Sequence, residues 1–357
     1  MIRTLRCLFV ALLLAVAASA VAAQGDAPVT EHGSRSICAG RFAIDLPADA
    51  EVAINATYRN AQLSGATAVR NLDAWKSSLG TKAKQLSSSP MVKNDYKDQI
   101  LKSAGVNPGD LYGKTQLVDY ETDDSLQRAW LAYQPDPAKP DLRVEVHKLI
   151  HGMDYMFVAK GLGANAYPRV KSDLLTAVGQ FQPIGKYEAP NQPGFCVNGG
   201  VYLDPGHMPV NERLTLVVTF PKRPDLQFTI DTNAIDQVNK GEPPLKDRVD
   251  SDLNVMRANY AGVSVMARGE LQAAGQQGYQ IGVSAPYDLA PGTHIRKFFW
   301  SADGVPNDVT RPFMEVDFTI QPTDDGKSTV KDDAEAKELW DQLIAAIHIR
   351  PGAKGTL

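Results

Sequence analysis

Apolar and polar positions alternate over short stretches through most of the chain, which is the period of half-buried strands. Only four segments change to helical spacing. In the first half the alternation predicts strands at 42–46, 115–120, 129–134, 142–150 and 153–160, with His151-Gly152 as a tight turn between the last two. Val69, Leu72, Trp75 and Leu79 mark one side of a helix running towards Leu86 and stopped by Ser87-Ser-Ser-Pro90. Pro168 opens a second helix, whose apolar face is Val170, Leu174, Ala177 and Val178. The second half repeats this order. Strands at 213–220 and 226–230 precede a helix with the stripe Leu245, Val249, Leu253 and Met256, and strands at 263–268, 279–284, 294–301 and 313–321 follow. The last helix is the clearest: Asp332 and Glu335 suit a capping box, and Ala336, Leu339, Trp340, Leu343, Ile344 and Ile347 recur at helical intervals.

The halves also begin and end alike. Cys38-Ala-Gly40-Arg-Phe-Ala-Ile-Asp45-Leu-Pro47 is echoed by Cys196-Val-Asn-Gly199-Gly-Val-Tyr-Leu-Asp204-Pro205, and the approach to Pro183 is echoed by the approach to Pro351. The expectation is an α+β protein of two tandem similar domains, each an antiparallel sheet with helices packed on one face. The boundaries expected are a signal peptide at 1–23, a polar tether at 24–35, an N-terminal lobe at 36–187, a linker at 188–193, a C-terminal lobe at 194–352 and a tail at 353–357. Two lobes of about 150 residues each are large enough to bury a core.

The first 23 residues have a basic start (Arg3, Arg6), an apolar run from Cys7 to Ala18, and small residues at Ala20 and Ala23, which is the pattern of a cleaved export signal. An exported protein without membrane insertion after cleavage is expected. The chain has 37 Lys and Arg against 41 Asp and Glu, and two of the basic residues fall in the signal, so nucleic acid is not the expected partner. Cys38 and Cys196 alone survive processing. Two thiols in an oxidising compartment favour one bridge between the lobes, and the other arrangement is a pair of small buried cysteines too far apart to meet.

The chemical motifs are incomplete. Gly109-Asp-Leu-Tyr-Gly113-Lys114-Thr115 has three residues between its glycines where a phosphate loop needs four. Gly161-Leu-Gly163-Ala-Asn-Ala166 lies between strand and helix but closes its lobe instead of opening a dinucleotide unit. Ser264 and Ser284 follow Gly-Val but lack the second glycine of a nucleophile elbow. His147 and His151 with Glu145 make a poor metal set, because the glycine after His151 places the pair across a turn. Neither a cofactor nor a catalytic role is expected. Arg296, Phe298 and Trp300 alternate with Ile295, Lys297 and Phe299, so one mixed face of this strand is a candidate partner-binding surface. The other reading is a covered strand.

These residues carry a resemblance. The segment from Cys38 to Val52, the second opening from Gly194 to Pro205, Phe228-Thr-Ile-Asp-Thr-Asn233 and the closing helix are similar to the cognate immunity proteins of the fourth class of type VI secretion lipase effectors. The resemblance implies a non-enzymatic periplasmic inhibitor whose two lobes grip a phospholipase toxin like a pincer, in a 1:1 complex, and keep its lid from opening. It transfers no contact residue to a position of this chain. The alternative is an exported ligand-binding protein with a cleft between its lobes.

Overall fold

The computed structural model describes residues 33–353, apart from 89, 91–92, 104, 106, 111–112, 136–141, 163–165, 186–187, 205–210, 238–240, 260, 288–291 and 324. The expected signal at 1–23, most of the tether, and the centre of the glycine-bearing turn after the first meander lie outside the described residues.

The chain opens with a hairpin of β1 (Ser34–Ala39) and β2 (Phe42–Pro47). Its turn is at Gly40, whose φ of +60° suits glycine. A second hairpin, β3 (Glu51–Tyr58) and β4 (Ala61–Ala68), is absent from the expectations above although Val52, Ile54, Ala56 and Tyr58 alternate along β3. Next come α1 (Leu72–Ser88), α2 (Asp95–Ser103) and a 3-10 turn at Pro108–Asp110. A meander follows, with β5 (Leu117–Asp123), β6 (Arg128–Tyr133), β7 (Leu142–Ile150) and β8 (Met153–Leu162). His151 and Gly152 turn β7 into β8 with φ of +49° and +77°, the pair of positive values that a two-residue hairpin of matching twist requires. The first half ends with α3 (Tyr167–Gln180) and β9 (Phe181–Pro183).

The second half begins with the hairpin β10 (Gly194–Val197) and β11 (Gly200–Leu203), then β12 (Glu212–Thr219), β13 (Leu226–Asn233) and α4 (Leu245–Asn259). β14 (Ser264–Ala273), β15 (Gln276–Pro286), β16 (His294–Ala302) and β17 (Phe313–Ile320) form its meander. It closes with α5 (Asp333–Ala345) and β18 (Ile347–Ile349). The Asp332 side chain caps α5 by accepting from the Glu335 amide at 3.0 Å, while the Glu335 carboxylate accepts from the Lys331 amide and not from Asp332. The expected box is therefore offset by one residue.

The fold is α+β with antiparallel sheets. The strands of the two halves run together into one twelve-stranded sheet, ordered β14-β15-β16-β17-β13-β12-β3-β4-β8-β7-β6-β5. The seam is β3 against β12, paired without interruption from Glu51↔Thr219 to Tyr58↔Glu212. Two three-stranded sheets complete the fold, and each mixes the halves. β9, the end of the first half, pairs with β11, and β18, the end of the second, pairs with β2. Gly200 makes the first of these pairings possible: a Cβ there would lie 2.0 Å from Cε2 of Phe181.

The main core lies between the inner face of the large sheet and a layer of α3, α5 and the small sheets. Near the seam, Tyr58 stacks on Tyr202 at 4.7 Å, and Phe181 meets Phe157 edge-on at 4.9 Å. Near α5, Trp340 stacks on Phe298 at 5.5 Å. This corrects the expected surface on β16: Phe298 and Trp300 are fully buried, and Arg296 is 7% exposed. The cause is α5, which covers that side of the strand. Asp333 at its start takes a hydrogen bond from Arg296 Nε at 2.6 Å, and the indole N–H of Trp300 donates to the Leu271 carbonyl at 2.9 Å.

Candidate functional site

The outer face of the large sheet is covered at its two ends and open in the middle. At one end α1 packs Trp75, Leu79 and Ala83 onto Ala129, Leu131 and Leu149. At the other, α4 packs Val249 and Leu253 onto Tyr279, Ile281 and Val283, with Phe299 alongside. Paired residues of an antiparallel ladder point to the same side. The cross-sheet row Leu131–Glu145–Val158–Gln62–Thr57–Arg213–Asn233–Phe313 starts under α1, and the parallel row Thr215–Asp231–Glu315–Ser301–Tyr279 ends under α4, so both helices stand on one face. Between them β8, β4, β3, β12, β13 and β17 form a floor. Five strand spacings make it roughly 24 Å wide.

The floor is polar because alternate residues of its strands face away from the core. Gln62 donates to Asn55 at 2.6 Å, and Arg213 donates to Asn233 at 3.2 Å. Thr215 donates to Asp231, which stands directly across from Glu315. Asp317 lies two residues further along β17 and has Lys297 at 3.3 Å. Burial raises the Glu315 carboxyl above its ordinary value, and the nearby Asp317 and Asp231 raise it further. Burial also raises Asp317, with Lys297 pulling the other way and Asp231 adding to the rise. Like charges set opposite each other on a sheet are unfavourable, so this part of the floor is not optimised for stability. Beside α4 it deepens into an open recess of about 840 Å³, lined by Leu245, Arg248, Asp252, Phe299, Phe313 and Glu315 among others.

The wall at α1 is fixed by a charged cluster beneath it. Glu145 is 1% exposed and accepts from Tyr133 and Arg143 at 2.7 Å each and from Lys82 of α1. His147 places Nδ1 at 2.9 Å from Asp154 and Nε2 at 3.6 Å from Glu145. Burial opposes both charges. The hydrogen bonds outweigh it, holding Glu145 well below the usual carboxylate range and His147 above the usual imidazole value.

A second buried cluster lies on the inner side of the seam. Arg41, just past the first hairpin turn, bonds the Glu212 carboxylate through Nε at 3.1 Å and through Nη2, and reaches the carbonyls of Asp204 at 2.9 Å and Ala353 at 2.8 Å. Cys38 and Cys196 are joined by a disulfide with a Cα–Cα distance of 5.8 Å. Beside it Gly40 and Cys196 exchange backbone hydrogen bonds of 2.9 and 2.8 Å.

The remaining sequence candidates are dispersed. Ser284 is buried and donates to Asp333, whereas Ser264 is exposed on edge strand β14. His147 belongs to the α1 cluster and His151 to the hairpin turn. No group of three or more His, Cys, Asp or Glu side chains among the described residues is arranged to hold a metal ion. Arg296, Phe298 and Trp300 are absent from the floor. The central strands of the floor, β3 and β4, were not predicted although β3 alternates, and the polar positions on β12, β13 and β17 look like those of any solvated sheet face.

Comparison with curated proteins gives no match. Solved structures share the fold. The apo structure of immunity protein TplEi of T6SS from Pseudomonas aeruginosa aligns with a TM-score of 0.69 at 18% identity, covering 91% of this chain and 99% of that one. The crystal structure of the Tle4-Tli4 complex gives 0.69 at 18% identity, covering 90% and 98%. TplEi complexed with "L" peptide gives 0.65 at 18% identity, covering 91% and 100%. A family model, the C-terminal domain of Tle cognate immunity protein 4, matches residues 188–352. Those residues, which hold α4, α5 and the strands on the α4 side of the seam, are the part of the chain that is similar to the Tle cognate immunity protein 4 C-terminal domain family.

Proposed function

We propose that this protein is an immunity protein that binds a phospholipase effector of type VI secretion and blocks it by occupying the surface through which lipid enters. The observation that carries this is the polar floor, about 24 Å wide, left uncovered between two helix-bearing ends. A helix with its side chains is about 10–12 Å across, so the floor accommodates a folded layer two helices wide better than a small molecule. The family of residues 188–352 and the Tle4-Tli4 complex formed by a protein of this fold support the same reading. The role is inhibition by occlusion, with no reaction carried out by this chain. The export-signal pattern at 1–23 supports a periplasmic location, and the lobes proposed at 36–187 and 194–352 supply the two walls.

The test uses the chain from residue 24 with a lipase effector encoded beside it. A stable 1:1 complex by size exclusion with light scattering, loss of phospholipase turnover at equimolar protein, and protection of cells receiving the effector in the periplasm are expected. Absence of a complex at micromolar concentration, or a complex that leaves turnover unchanged, overturns the proposal.

A further inference from the structure

We infer that the two walls of the floor are held at a fixed separation, so that the molecule receives its partner as a preformed cradle and does not close on it like a hinged pincer. A hinge needs a few residues that can absorb large backbone rotations while the bodies on either side remain intact. Among the described residues, the connection between the halves offers none. Residues 188–193 are the covalent link at this point, and Arg350 fastens them. This guanidinium is 2% exposed and donates to the carbonyls of Pro190, of Gln192 at 3.0 Å and of Gly194 at 2.7 Å. Gly352 follows with a φ of +74°, and a Cβ there would lie 2.2 Å from the Asn191 carbonyl oxygen, so the link is also packed in place.

Further ties cross between the halves at other points. The β3–β12 ladder forms the floor itself, and swinging one wall would break it. The closing strands are exchanged: β9 is held by the hairpin of the second half and β18 by the hairpin of the first, so neither half can move without pulling a strand from the other. The Cys38–Cys196 disulfide joins the two hairpins, and Arg41 binds the first hairpin to Glu212 of β12 and to the carbonyls of Asp204 and Ala353. Opening would require all of these to fail together. Binding energy is then not spent on closure, and any large change of shape falls on the partner.

The experiment places spin labels on the walls of the oxidised chain from residue 24, which lacks Cys7, at Ser77→Cys on α1 and Ser251→Cys on α4, with Lys84→Cys and Asn254→Cys as a second pair. All four positions are exposed. Pulsed dipolar spectroscopy should give one narrow distance for each pair in the free protein, unchanged to within about 2 Å on binding the lipase effector, since preformed interfaces move by about 1 Å. A broad or two-peaked distribution in the free protein, or a larger shift in the complex, overturns the inference. The bound measurement rests on the proposed function, but the free measurement does not. If no complex forms, the functional reading fails while the free-state distances still decide this one.

Discussion

Replacing both Cys38 and Cys196 with alanine should destabilise the protein by much of its total stability. The disulfide spans a sequence separation of 158 residues. Cross-linking such a loop lowers the entropy of the unfolded chain by an amount worth about 5 kcal/mol at 25 °C in the loop-closure model, whereas disulfides typically deliver 2–4 kcal/mol. Both cysteines are buried, Cys196 completely, and the sulfurs pack with Val201, Ile184 and Leu203, so the alanines also forfeit some packing. A loss of about 3–5 kcal/mol is expected, out of roughly 5–15 for a folded protein. The assay is urea unfolding of the oxidised wild type and the double variant, followed by fluorescence and near-ultraviolet circular dichroism. The native spectra should coincide, because the β3–β12 ladder and the exchanged strands do not depend on the bridge. The variant should also show a larger m-value, since its unfolded chain exposes more surface. A loss below about 1 kcal/mol with an unchanged m-value would refute the reasoning, as would two titratable thiols in the unfolded wild type.

Glu315→Gln should raise stability at pH 7 by up to about 1 kcal/mol, because it removes a carboxylate set against Asp231. The raised carboxyl is stabilised in the folded state when protonated, so this gain should vanish below the ordinary carboxylate range; a gain that persists at pH 3 is inconsistent with the charge argument. The α1 cluster should give a two-sided pH profile. Glu145, held low, contributes stability above its unfolded pKa near 4.5 that is lost as pH falls through its lowered value. His147, held high, contributes stability below its unfolded pKa near 6.5 that is lost as pH rises through its raised value. The cluster therefore contributes most between those two unfolded values, and Glu145→Gln with His147→Gln should flatten the melting temperature across both limbs. Gly200→Ala should cost about 1–3 kcal/mol by driving a methyl into Phe181. A neutral result in chemical unfolding would mean that β9 is not seated against β11 in solution.

The sequence was most legible where one face of an element is buried by neighbours close in the chain. The buried residues of α3 are Val170, Leu174, Ala177 and Val178, the face its periodicity predicts, and α5 buries Ala336, Trp340 and Ile344. Legibility was poorer on β16, where both faces mix aromatic and cationic residues. Periodicity there separates 296, 298 and 300 from 295, 297 and 299 but does not say which set a helix covers. The covering residue, Trp340, lies far along the chain. Strand exchange was hidden for the same reason. The repeated Cys-Gly phrases announce two hairpins of similar construction, yet the partner of each is chosen by packing such as Phe181 against Gly200, which no local pattern records. The floor residues carry no signature because threonine, asparagine and aspartate on alternate positions are what any solvated sheet face shows.

The pairing of β18 with β2 brings the last strand described against the opening hairpin, Ile349 against Phe42. A chain emerging end-first, from a ribosome or through a membrane pore, presents its opening hairpin long before the strand that completes it. That hairpin must wait for the final turn of synthesis or passage, and contacts so remote in sequence form slowly. The fold is therefore completed late: until β18 emerges, that edge of the opening hairpin lacks the strand that pairs with it.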